Sequence, residues 1–182
     1  MGEAREPEPV NLICGLLAAR PEWLDAGRRV LADRFGTVEL ASDIWPFDST
    51  TYYEAEMGGP LLRQMVSFEE LMAPGDLAGV KQATNGLEVE LSETLSGAPP
   101  RPVNLDPGYV SLSKLVLATT KDYAHRVYLG DGIYAESTLH WHKGGFEPWP
   151  WTYPDYRTEA CRAFFARVRS QYETKLHRRS GG

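Results

Sequence analysis

The chain is short of the residues that announce most chemistries. It has only two cysteines, Cys14 and Cys161. That number excludes a disulfide-rich scaffold, and their wide separation excludes a cysteine-built metal motif. Each falls on an apolar stretch, the pattern of a buried, reduced thiol. No run of the sequence approaches the roughly 18 apolar residues of a membrane span. The most apolar early run, Leu12 to Ala19, is too short and follows an acidic leader rather than the basic one of a secretory signal. Glu6 stands where the myristoylation pattern that begins at Gly2 needs Ser or Thr. Cytoplasm is therefore the expected compartment, with no membrane partner. Also missing are a Walker-type phosphate loop, a Gly-x-Ser-x-Gly elbow and a His-Glu-x-x-His pair. No motif requires a cofactor.

What is present is an ordinary globular composition: 182 residues, 42% hydrophobic and 24% charged. The length suits one domain, expected over 10–177, between a Glu/Pro-rich arm at 1–9 and a tail at 178–182. The net charge is −6, unevenly spread: 17 acids and 7 bases in 1–100, against 8 acids and 12 bases in 101–182. The acidic total makes nucleic acid an unfavoured partner. The basic second half leaves room for a patch that meets a small anionic molecule.

Patterning predicts a strand over Val10–Leu17. Pro21 then opens a helix that carries Leu24, Gly27, Val30, Leu31 and Phe35 on one face and ends at Gly36. Strands are predicted over Val38–Ile44 and Leu61–Phe68, and a helix capped by Asp76 runs to about Ser96. Val103–Leu105 and Ser111–Thr119 read as strands around an Asp106-Pro107-Gly108 turn, although Ser111–Ala118 also fits a helical period. The order strand–helix–strand–strand–helix–strand matches an α+β, ferredoxin-like split βαβ arrangement. Two hairpins, closing at Gly130–Gly132 and Lys143–Gly145, extend the sheet. A last helix bearing Cys161, Phe164, Phe165, Val168, Tyr172 and Leu176 on one face covers its edge or end.

Period-two geometry sorts the hairpins into two faces. With a three-residue loop, Leu129 opposes Ile133, Tyr128 opposes Tyr134, and Arg126 opposes Glu136. Val127, Leu129, Ile133, Ala135, Leu139 and Trp141 then face the core. Arg126, Tyr128, Tyr134, Glu136, Thr138, His140 and His142 face outward, as the wet side of a sheet or as the floor of a binding site. His140 and His142 are roughly 6–7 Å apart at Cα on one side of a strand. They are candidate metal ligands, with no third ligand fixed by the sequence. Lys121, Asp122, His125 and Arg126 concentrate phosphate-binding and proton-transfer groups. On a strand, His125 would point to the core side, away from Arg126, as a buried, hydrogen-bonded imidazole.

Two segments are rich in rings, Trp45–Met57 and Phe146–Tyr156. They pack onto the body, wall a cleft, or form a partner surface; Asp48, Glu54 and Glu56 are the polar contributors of the first. The blocks Trp45-Pro-Phe-Asp48, Tyr52-Tyr-Glu-Ala-Glu-Met-Gly58, Asn104-Leu-Asp-Pro-Gly-Tyr109, Lys114 to Arg126, and Trp149-Pro-Trp-Thr-Tyr-Pro-Asp-Tyr156 resemble a bacterial family known as domain of unknown function 4416. The resemblance spans about Val10 to Val168. It implies a single domain and supplies no catalytic residue.

The function expected from the residues is small-molecule binding, with or without catalysis, on an anionic or phosphorylated ligand. The candidate contacts are Asp48, Tyr52, Glu54, Asp106, Lys114, Lys121, Asp122, Arg126, Tyr134 and Glu136. A protein-interaction module using the aromatic loops is the alternative, a homo-oligomer included. Single-stranded RNA stacking on Tyr128 and Tyr134 ranks third.

Overall fold

A computed structural model describes residues 2–49 and 54–180. They form one antiparallel sheet of nine strands flanked by helices on both faces. The first strand, β1 (Val10–Ala18), is buried at every position, because both sides of it meet apolar layers. Helix α1 (Pro21–Phe35) follows, with Pro21 at its first turn and Gly36 closing it at φ 91°. Gly27 lies so close to the sheet that a Cβ there would sit 3.0 Å from Leu16.

The chain then forms β2 (Val38–Ala41) and β3 (Trp45–Phe47), which pair in turn with the long strand β4 (Leu61–Met72). The strand expected over Val38–Ile44 ends at Ala41, and the segment expected to follow it opens with a short strand of its own at Trp45. The short helix α2 (Glu54–Met57) lies between β3 and β4. A 3₁₀ turn (Pro74–Asp76) leads into α3 (Leu77–Thr94), and Asp76 makes no side-chain capping bond. Next come β5 (Val103–Val110), β6 (Lys114–Thr119), β7 (Val127–Gly130), β8 (Ile133–His142) and β9 (Gly145–Pro148). The helices α4 (Pro154–Arg157) and α5 (Glu159–Ser180) end the fold.

The strand order is β2-β4-β1-β5-β6-β8-β7, with β3 also on β4 and β9 also on β8. Helices α1 and α3 bury Leu24, Leu31 and Leu91 against Leu12, Leu16, Val66, Phe68 and Leu105 on one face. The last helix was expected on an edge or end. It instead seals the second face, where Phe164, Phe165 and Val168 meet Ile13, Met65, Val110, Leu115 and Leu139.

Two expectations fail for backbone reasons. Asp106-Pro107-Gly108 is not a turn: β5 runs straight through it, and the chain reverses at 111–113. The Leu105 N–H and C=O bond to side chains of α3, so they point away from β1. Pro107, two residues on, faces the same way, toward β6, and has no N–H to give it. The β5–β6 ladder accordingly covers only Gly108–Val110 and Leu115–Leu117. At Gly108 the strands approach so closely that a Cβ would lie 2.2 Å from the Val116 carbonyl oxygen.

The second failure is the hairpin face assignment. Leu115 opposes Leu139 but Val116 opposes Ser137, so β8 holds one extra residue there. This bulge inverts the alternation, and Glu136, opposite Leu117, shares a face with Leu139. Glu136 and Thr138 are therefore buried, not wet. In the first hairpin Tyr128 opposes Tyr134 as expected, but Ile133 opposes Gly130, and Leu129 is bulged out. Val127 and Leu129 are exposed rather than core.

Candidate functional site

Where Pro107 ends the β5–β6 ladder, the sheet opens into a notch, and charged side chains converge on it. Lys81 crosses from α3 to donate to the Leu105 carbonyl at 2.8 Å, and its Nζ lies 4.0 Å from Asp106 Oδ1. Glu88, two helical turns on, accepts from the Leu105 N–H at 2.8 Å and from Arg101 at 2.9 and 3.0 Å. Asn104 Nδ2 donates to Asp106 Oδ2 at 2.8 Å, and Arg101 donates to Asn104 Oδ1. Arg101 also lies 3.7 Å from Glu56 of α2, which ties the notch to the 45–57 segment.

Behind Asp106 stands Arg63 of β4. Its guanidinium bridges Asp106 at 3.2 Å and Asp155 of α4 at 2.6 Å. It lies between the rings of Phe47 and Tyr156, at 5.1 and 5.5 Å from their centres. Gly15 makes room for this group: a Cβ there would meet Arg63 Nη1 at 3.0 Å and the Tyr156 hydroxyl at 3.1 Å. The Tyr156 hydroxyl and Arg63 Nε are buried without a hydrogen-bond partner among the described residues.

The cluster displaces the ionisation of its two carboxyls nearest Leu105, Asp106 and Glu88. Burial alone would raise the Asp106 pKa, but Lys81 and Arg63 outweigh it and hold the carboxyl below the usual range. Burial raises Glu88 above that range despite Lys81 and Arg101. The two carboxyls are thus pushed in opposite directions. Burial pushes Tyr156 and Cys14 up, and Cys161 up to about 12, so neither thiol is a thiolate at neutral pH. Both cysteines are free and buried.

A second group forms at the other end of the sheet. Glu136 Oε2 accepts from His125 Nε2 and from Arg126 Nε, both at 2.9 Å. The two donors share it because β7 begins only at Val127, so strand alternation does not separate them. The arginine is spent there, its guanidinium also bonding the Lys121 carbonyl at 3.0 Å. Stacked rings run outward from it: Tyr123 on His125, His125 on Trp151 at 5.4 Å, Trp151 on Trp149 at 5.3 Å, and Trp149 on His140 at 4.1 Å. Both indole N–H groups donate to Ser137, beside the bulge of β8. The ring-rich Phe146–Tyr156 segment is thereby fastened to the sheet, and Arg157 holds it through the carbonyls of Trp149, Pro150 and Thr152.

The anticipated residues divide accordingly. Asp106 lies in the notch, and Arg126 and Glu136 form the second group, with Lys121 beside it. Tyr134 packs on Tyr128 at 5.2 Å. Asp48 and Asp122 are exposed. Lys114, opposite His140 on β8, lines a separate cavity of about 290 Å³ with Tyr109 and Tyr172. Tyr52 falls outside the described residues. Glu54 begins α2. His140 and His142 are 6.3 Å apart at their ring centres, and no third ligand joins them: among the described residues no three His, Cys, Asp or Glu side chains are placed to hold a metal ion. Sequence reasoning missed Arg63, Lys81, Glu88 and Asp155. The available signal was a cation beside apolar residues of its own face: Arg63 between Leu61 and Met65 on β4, and Lys81 one turn after Leu77 on α3.

The family model described as Domain of unknown function (DUF4416) matches residues 8–172. The chain belongs to that family. No curated protein and no solved structure matches it. The matched span includes every residue of both groups. No helix among the described residues of this DUF4416 chain is long and apolar enough to cross a membrane.

Proposed function

We propose that this DUF4416 chain binds a small polar molecule at the Asp106 notch, in a site equipped for proton transfer. The observation that carries the reading is the cluster itself. Burying Arg63 and Lys81 with their carboxylates costs more than an apolar packing of the same volume would, so stability does not account for it. Displaced pKa values gathered where β5 and β6 part support a functional site. Asp106 keeps 28% of its side chain exposed while Arg63 keeps 6%. The carboxylate therefore faces the ligand, and the buried cations hold it ionised. Arg101 and Glu56, also exposed at the mouth, suit a ligand with an anionic group and a hydroxyl or amine.

A ligand screen by thermal shift tests this. A nucleotide, phosphosugar or related anion at 100 times its Kd should add about 2.7 kcal/mol, several degrees in Tm for a domain of this size. Asp106→Asn should abolish that shift. A response that survives Asp106→Asn, or no response from any anion, sinks the reading.

The antiparallel order β2-β4-β1-β5, with α1 and α3 as crossovers on one face, supports a ferredoxin-like split βαβ unit that the later strands extend. Two buried free thiols accord with a cytoplasmic location. The interaction-module reading keeps one observation in its favour, the exposure of Tyr123, Trp151 and Tyr153.

A further inference from the structure

The nine-stranded sheet ends at β7, and among the described residues no strand pairs with the outer edge of β7. Three consecutive apolar side chains on it are bare: Val127 at 68%, Tyr128 at 58% and Leu129 at 43% exposure. Neighbouring side chains of a strand point to opposite faces, so β7 projects past the helical layers on both sides. Tyr123 and Trp151, both exposed, flank the same end. An uncovered apolar strand of this kind is a pairing template.

We infer that a second copy of this chain covers β7, with the two strands antiparallel about a two-fold axis at Tyr128. The sequence is complementary to itself in that register. Tyr128 meets Tyr128 of the other copy, and Val127 of each copy lies toward the bulged Leu129 of the other, so the exposed apolar triplets cover one another. Each Tyr128 already leans on Tyr134, with its hydroxyl accepting from the Gly132 N–H at 3.3 Å. The pairing therefore builds a row of four rings on one face.

The extent fits a closed pair. Covering the exposed parts of Tyr123, Val127, Tyr128, Leu129 and Trp151 with the adjoining backbone removes on the order of 500 Å² per copy. That is about 1,000 Å² in all, the lower bound for a specific interface. The two-fold axis uses up both free edges at once, so association stops at two. The shortness of β7 and its bulge at Leu129 work against longer, open-ended pairing.

Sedimentation of the full chain should give a concentration-dependent species of twice the 20.4 kDa monomer mass. Val127→Lys sets two ammonium groups against apolar partners and should weaken the pair roughly tenfold or more. Val127 touches little within its own copy, so the thermal unfolding of the variant monomer should match that of the parent. Val89→Lys, at an exposed site on α3, should leave association unchanged. Directly opposed strand residues are close enough for a disulfide. Tyr128→Cys should therefore cross-link on oxidation, and the two native thiols are buried and do not compete. A monomer at every concentration overturns the inference, even one that takes up a foreign extended peptide on β7. So does a dimer indifferent to Val127→Lys, and a dimer that Tyr128→Cys fails to link overturns the register. These outcomes are independent of whether Asp106 binds a ligand.

Discussion

Arg63 joins two carboxylates, Asp106 and Asp155, that lie on opposite walls of the same buried space. Arg63→Met would keep the volume and the contact with Phe47 and Tyr156, yet take the guanidinium from both acids and leave Asp106 with Lys81. Removing one partner of a buried pair costs about 3–5 kcal/mol, so urea unfolding at pH 7 should show a loss of that size. Asp106 adds a pH dependence whose sign is fixed by its lowered pKa. Its contribution is fully present above the unfolded carboxyl value, about pH 4, and disappears as the pH falls through the still lower folded value. Asp106→Asn should therefore be most destabilised relative to the parent near neutrality. The gap should narrow steadily below about pH 4 in unfolding curves collected across the acid range. A gap that is constant with pH would mean that the carboxylate charge does nothing for the fold.

Two glycines show how differently the elements use the same residue. Gly108 is where β5 and β6 nearly touch, and Gly108→Ala drives a methyl into the Val116 carbonyl. Overpacking against backbone should cost about 2–3 kcal/mol. Gly86 sits in the middle of α3 with open space around it, and Gly86→Ala should stabilise by about 0.5–1 kcal/mol through helix propensity. Paired thermal melts would read the opposite signs directly. The elements most legible in the sequence were those with an unbroken period: β1, α1, α3 and α5 appear close to where apolar spacing put them. What spacing does not encode is a change of parity. Asp106-Pro107-Gly108 has the composition of a turn, but its proline acts by withholding an N–H from β6. Whether Pro stops a ladder or makes a bend depends on which neighbour its nitrogen faces. The extra residue at Ser137–Thr138 likewise moved Glu136 indoors and reversed His140 and His142 relative to it. The candidate site suffered the same way. Asp106 stands among the candidate contacts although its segment reads as a turn, while Lys81 and Glu88 were hidden by helical spacing, which marks a face but not the partner it meets.

Across the whole molecule, stability should fall from the centre of the sheet toward its β7 end. β1 lies between β4 and β5 and under helices on both faces, so its amides open only with the fold itself. β6 and β8 are buried at only some of their positions, and among the described residues β7 pairs with β8 alone. Hydrogen exchange on a dilute sample should therefore rank β1, β4 and β5 slowest and β7 fastest, with β7 amides exchanging by local opening rather than global unfolding. The charge asymmetry of the chain divides the sheet elsewhere: the acidic first hundred residues build β1 to β4, and the basic remainder builds β5 to β9 and α5. Raising the protein concentration should then act on one end only. If β7 is covered by a second copy, its amides slow by mass action while those of β1 keep their rate. Uniform slowing of every strand would instead mean that association stabilises the fold as a single unit. No change at β7 would mean that its outer edge stays open to water.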